Sequence, residues 1–154
     1  MMGQPRFSIR QIRSKRCPMT VWHTINPDKK LITTVWTGEA TDGEFIVALS
    51  KYQLEIKSQP EYVDYDEVLD LSGTTSFKLT PGGLRRLADI GAKTDNQSSR
   101  TRLAIIVTQT VAYGLARMYQ TYRSFIPNAS KEVKVFRNSF PALQWIGASQ
   151  RMEE

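Results

Sequence analysis

Thr80 stands immediately before Pro81-Gly82-Gly83-Leu84, a run with the residue types of an anion site. A threonine ahead of a proline marks a helix start. Its hydroxyl accepts from a free first-turn amide, and proline fits where no N–H is needed. Those amides and the helix dipole also favour a phosphate, and Gly82 and Gly83 would let backbone approach it closely. Ser72 and Thr75, with Thr74 and Ser76, read as the loop before this helix. They follow a strand, at the edge where ligands of open α/β sheets bind. Thr80, Gly82, Gly83, Ser72 and Thr75 are therefore the candidate phosphorylation or anion-binding residues. The plainer reading of the same residues is a capping threonine behind a solvated polar loop.

Other reactive side chains are sparse. Asp64, Asp66, Glu67 and Asp70 crowd four carboxylates into seven residues. They lack the spacing of a calcium loop, so no metal is expected there and the solvated charge run is preferred. His23 is the only histidine, and no Gly-x-Ser-x-Gly elbow offers it a nucleophile. No phosphate loop or dinucleotide fingerprint occurs either. The expectation is a protein without catalytic residues or cofactor. Tyr113, Tyr119, Tyr122, Met118 and Trp145 have the spacing of core residues, although they could also line a pocket or a partner surface. Tyr119 falls off the main helical stripe, beside Arg117 and Arg123, and these three form the candidate contact surface.

Composition narrows the class. The chain has 154 residues, 40% of them hydrophobic and 23% charged, which suits one globular domain. One cysteine, Cys17, excludes an intrachain disulfide and a cysteine-based metal site. No apolar run has the length of a membrane span, and no secretory signal is visible, so the expected location is the cytoplasm. The net charge is +6, but Arg6, Arg10, Arg13, Lys15 and Arg16 all precede residue 19, in a stretch without an acid. The rest is close to neutral, so nucleic acid is not an expected partner.

The elements that must position these residues follow from periodicity. Residues 1–18 are expected to be a disordered basic tail, or to precede a true start at Met19. The sharper alternative is a weak membrane-surface anchor through Phe7, Ile9 and Ile12. Thr20 to Ile25 and Leu31 to Thr37 read as a hairpin around Asn26-Pro27-Asp28-Lys29-Lys30, closed by Gly38. Phe45, Leu49, Tyr52 and Ile56 mark a helix capped by Thr41 or Asp42 and ended by Pro60. Glu67 to Ser72 is a strand that Gly73 stops, and Leu84, Leu87 and Ala88 give the following helix its buried face. Arg102 to Thr108 is a buried strand, and Val111, Leu115, Met118, Tyr122 and Phe125 form the next helical stripe. Glu132 to Arg137 is the last strand. Asn138 or Ser139 then caps a helix through Phe140, Leu143 and Ile146, and residues 148–154 are a polar tail. The order β-β-α-β-α-β-α-β-α predicts a mixed α/β sheet of about five strands with four helices, parallel after the hairpin.

A family resemblance rests on these residues. The hairpin, Val68-Leu69-Asp70-Leu71-Ser72-Gly73 and the helix opening at Thr80-Pro81-Gly82-Gly83-Leu84 resemble the STAS superfamily, the fold of anti-sigma-factor antagonists. Arg102 to Val107, Ala112-Tyr113-Gly114-Leu115-Ala116-Arg117-Met118-Tyr119, Val133 to Arg137 and Ala142 to Ile146 are similar to a bacterial branch. Its members are described as STAS-like or STAS/SEC14-like (SpoIIAA-like) proteins of unknown function. The likeness spans residues 19–147. It implies a non-catalytic regulatory or protein-interaction module, with homodimerisation a further expectation. The SEC14-like label implies instead a lipid or small apolar ligand held between sheet and helices. Signalling members of the superfamily carry a phosphorylated serine in a pattern like Asp-Ser-Ser-Gly-Leu. Here that stretch reads Leu79-Thr80-Pro81-Gly82-Gly83-Leu84, so Thr80 alone could stand in.

Overall fold

A computed structural model describes residues 19–95, 100–127 and 129–153. The expected tail at residues 1–18 lies outside them. Strands β1 (Thr20–Asn26) and β2 (Leu31–Thr41) form the antiparallel hairpin. Its turn is closed by Lys30 N–H on the Pro27 carbonyl and Lys29 N–H on Asn26 Oδ1. Helix α1 (Asp42–Tyr52) runs into a π-helical turn, Gln53–Lys57, before Pro60 is reached. Then come β3 (Asp66–Lys78), α2 (Pro81–Ala92), β4 (Thr101–Ile106), α3 (Thr110–Ser124), β5 (Lys131–Phe136) and α4 (Ser139–Glu153). The expected mixed sheet of five strands with four helices is the one observed. The strands lie in sequential order, and every pair after the hairpin is parallel.

Two glycines read as strand stops are not stops. Gly38 sits within β2 at a φ of 90°, a backbone region that glycine enters without steric cost, beside a register shift against β3. Gly73 pairs with Thr37, and a Cβ there would lie 2.7 Å from Thr37 Cγ2. Close approach of two backbones, not a turn, explains that glycine. β3 therefore continues to Lys78, and Ser72, Thr74, Thr75 and Ser76 lie on a strand rather than a loop.

The sheet is covered on both faces. One face, through Trp36, Leu71, Ile105 and Val133, packs under α1, α2 and α3. The other, through Leu31, Val68, Ala104 and Ile106, packs against Ala142 and Ile146 of α4. Two helical stripes are rotated from those expected. In α3 the inward residues are Ala112, Ala116 and Arg123, while Val111 and Phe125 are 71% and 77% exposed. In α4, Ala142 and Ile146 are buried while Phe140 and Leu143 face outward. In both helices alanines face the sheet, and small residues at a contact let axes approach more closely. α4 also continues through most of the stretch expected as a polar tail. Among the described residues, no helix is long and apolar enough to cross a membrane.

Candidate functional site

Between the sheet and α1–α3 lies a cavity of about 130 Å³. Most of its wall is leucine, isoleucine, alanine and aromatic carbon. Trp36 and Phe45 stack on one another there, with ring centroids 4.0 Å apart. The alternating inward positions of β1 to β4 make the floor, and the apolar flanks of the three helices make the roof.

One part of the wall is polar. Glu67, near the start of β3, is buried. Tyr52 Oη donates to Glu67 Oε2 at 2.6 Å, and Lys131 Nζ from β5 pairs with Glu67 Oε1. Burial by itself would raise the Glu67 carboxyl, but the charges of Lys131 and Lys57 and the two donated hydrogen bonds hold it at about 2. Tyr52 is pushed far above the usual phenol value by burial and by the Glu67 charge. Lys57 is 1% exposed. Its ammonium donates to the carbonyls of Tyr62, Val63 and Tyr65 at 3.0, 3.2 and 2.9 Å. Burial lowers it to about 8, against the pull of Glu67.

His23 reaches the same region from β1. Its Nδ1 lies 2.8 Å from Thr34 Oγ1, and its ring centroid is 4.9 Å from that of Tyr52. Burial lowers its pKa, opposed by the charge of Glu55. Tyr119 closes the polar wall from α3. Its hydroxyl projects toward α2, where a Cβ on Gly91 would come within 2.8 Å of it. Burial pushes that phenol up to about 12, against the neighbouring Arg123 charge.

The expected contact surface is largely an interior feature. Arg123 is 2% exposed and forms a two-pronged pair with Asp95, with N···O distances of 3.1 and 2.9 Å. Tyr119 turns inward because the sheet-facing side of α3 runs through Ala112 and Ala116. Only Arg117 is outside, with its guanidinium carbon 5.9 Å from the Tyr113 ring centroid.

The anion candidates meet a similar correction. Thr80 caps α2, accepting from Gly83 N–H at 3.0 Å. Its own N–H and hydroxyl donate to the Asp42 carboxylate at 3.0 and 2.5 Å. A Cβ on Gly83 would fall 2.1 Å from Asp42 Cγ. The first residue of α1 therefore supplies the negative charge that the start of α2 attracts, and Gly83 makes room for it. Gly82 is open, and a Cβ there would have nothing within 4 Å of it. Ser72 donates through its N–H and hydroxyl to Asp70 Oδ1, and Thr75 is exposed on β3, so neither joins Thr80 in one site.

The four crowded carboxylates also diverge. Asp64 pairs with Lys30, Asp66 accepts from Arg102 N–H, Asp70 accepts from Ser72, and Glu67 points to the cavity. No cluster suited to a metal ion occurs among the described residues. The sequence offers no direct sign of Lys57 and Lys131, and it marks Asp42 only as a possible cap of α1, a place that Thr41 takes. Its one indirect signal is charge at buried positions: Glu67 begins an apolar strand, and Lys57 lies just past the helical stripe.

No protein-family model matches the chain, and no curated protein matches it. Among solved structures it is similar to the crystal structure of an uncharacterized protein of the DUF3478 family from Shewanella loihica, described as having a SpoIIAA-like fold. The TM-score is 0.49 at 14% identity, over 84% of this chain and 94% of that one.

Proposed function

We propose that this chain is a non-catalytic binding module that holds a small apolar ligand in the cavity between its sheet and helices α1–α3. The observation that carries this reading is the partly open cavity of about 130 Å³ with a mostly apolar wall. Protein interiors are packed to crystal density, with few voids larger than a water molecule. An apolar cavity of roughly 150 Å³ takes up benzene, so a space of this size suits a ligand of about one ring. Burial of the ligand's surface supplies the driving force, at roughly 25 cal/mol per Å². Tyr52, Glu67 and Lys131 satisfy one another and offer no attacking group to a substrate. The regulatory reading centred on Thr80 has less support, because Asp42 occupies the anion position.

Toluene tests the proposal. It should raise the thermal midpoint of the wild-type chain in proportion to the logarithm of its concentration, as a ligand of the folded state does. Ala116→Leu, which projects into the cavity from α3, should remove that shift while keeping the fold. A wild-type midpoint that stays fixed up to the solubility of toluene defeats the reading.

A further inference from the structure

Resting on that reading, we infer that the occupant is a neutral molecule bearing one hydroxyl, bound with that hydroxyl at His23. The argument begins with charge. Glu67 is the sole Asp, Glu, Lys or Arg among the described side chains lining the cavity. A ligand carboxylate would leave water to face a like charge. The cations nearest Glu67 do not line the cavity. Lys131 is engaged by Glu67 itself, Lys57 is committed to three backbone carbonyls, and Arg123 is locked to Asp95. A buried anion with no cation on the wall around it is strongly disfavoured.

A ligand ammonium fares no better. The Glu67 oxygens already receive Lys131 and Tyr52, and the charges of Lys57 and Arg123 also act on that carboxylate. The cavity wall thus admits polarity but not net charge.

Of the remaining polar groups on the wall, Tyr119 turns its hydroxyl toward α2 and Arg123, and Thr34 pairs with His23. One ring nitrogen is taken by Thr34, and the other has no hydrogen-bond partner among the described residues. Whichever tautomer is present, that second nitrogen either accepts or donates, and a hydroxyl can answer both. A plain hydrocarbon offers it no partner in either tautomer, and an ether offers none when the nitrogen is the acceptor.

Four probes of similar size separate the cases: toluene, p-cresol, p-toluate and 4-methylbenzylamine, titrated calorimetrically into the full chain near neutral pH. p-Cresol should bind about five-fold tighter than toluene, in line with one net hydrogen bond. p-Toluate and the amine should bind at least about ten-fold more weakly than p-cresol. His23→Leu should bring p-cresol to the level of toluene without changing toluene, and His23→Gln should retain the preference. Equal binding of p-cresol and p-toluate, or of p-cresol and the amine, overturns the inference and leaves the cavity reading standing. So does a p-cresol preference that survives His23→Leu. These wild-type comparisons decide the matter even where a variant does not fold. Failure of all four probes overturns the cavity reading with it.

Discussion

Asp42 shows how one side chain changes the meaning of a motif. Thr80, Gly82 and Gly83 have the chemistry of an anion site, and an anion is present, contributed by the chain itself. The carboxylate accepts two hydrogen bonds from Thr80 and lies where a Cβ on Gly83 would be. This separates two adjacent glycines that look equivalent in sequence. Gly83→Ala should displace Asp42 and cost about 1–3 kcal/mol, the range for losing hydrogen bonds to a charged group. Gly82→Ala, with open space around it, should be neutral or stabilising by up to about 1 kcal/mol, since alanine is the better helix former. Urea unfolding of the two variants side by side checks the distinction. Equal effects would mean that Asp42 does not hold the start of α2.

At the scale of elements, α3 is the instructive case. A helix stripe read from the largest apolar residues runs through Val111, Leu115, Met118, Tyr122 and Phe125. The face that meets the sheet runs through Ala112, Ala116, Tyr119 and Arg123, about one residue around the helix. Leu115, Met118 and Tyr122 still pack at its flank, so the expectation found the helix and missed its rotation. Small residues set the closest approach, and bulky ones fill the space beside it. Val111→Lys and Phe125→Ser should therefore each change stability by less than about 0.5 kcal/mol, as exposed substitutions do. Ala112→Lys should cost several-fold more. Thermal unfolding of the three variants provides the comparison, and a large loss at Val111 or Phe125 would contradict this rotation of α3.

For the whole molecule, the buried charges beneath the cavity couple stability to pH. Glu67 is held at about 2 in the fold against an ordinary value of 4.5, so its contribution is present above pH 4.5 and is lost as pH falls toward 2. Lys57 has the opposite consequence. It is lowered by burial to about 8 from 10.5, so between those values the unfolded chain binds more protons than the folded one. Stability should then rise with pH from about 8 to about 10. Tyr52, raised in the fold, reverses the trend above the usual phenol range, because there the folded state keeps the extra proton. Urea midpoints between about pH 7.5 and 9.5 should climb for the wild type and lie flat for Lys57→Met. A flat wild-type profile would mean that Lys57 titrates as it does in water.

Local signals in the chain determined the element order and the parallel sheet, because they need no knowledge of neighbours. The β-branched and aromatic runs of β1 and β2, the Asn26–Lys30 turn and the Thr80-Pro81 helix start act over a few residues, and each element begins where the pattern put it. They also placed His23 on an early strand and Glu67 at the head of β3. What they could not carry was pairing at a distance. Gly38 and Gly73 looked like stops because a glycine needed for close approach and one that ends a strand are the same residue. Asp42 lies 38 positions from Thr80, and Lys131 lies 64 from Glu67, so both contacts come from the packing of crossovers onto one sheet. The cavity is the furthest from sequence of all. An apolar residue lining a void and one filling a core contribute the same letter to the pattern. Only the distances between α1, α2, α3 and the sheet decide whether their side chains close the gap or leave it.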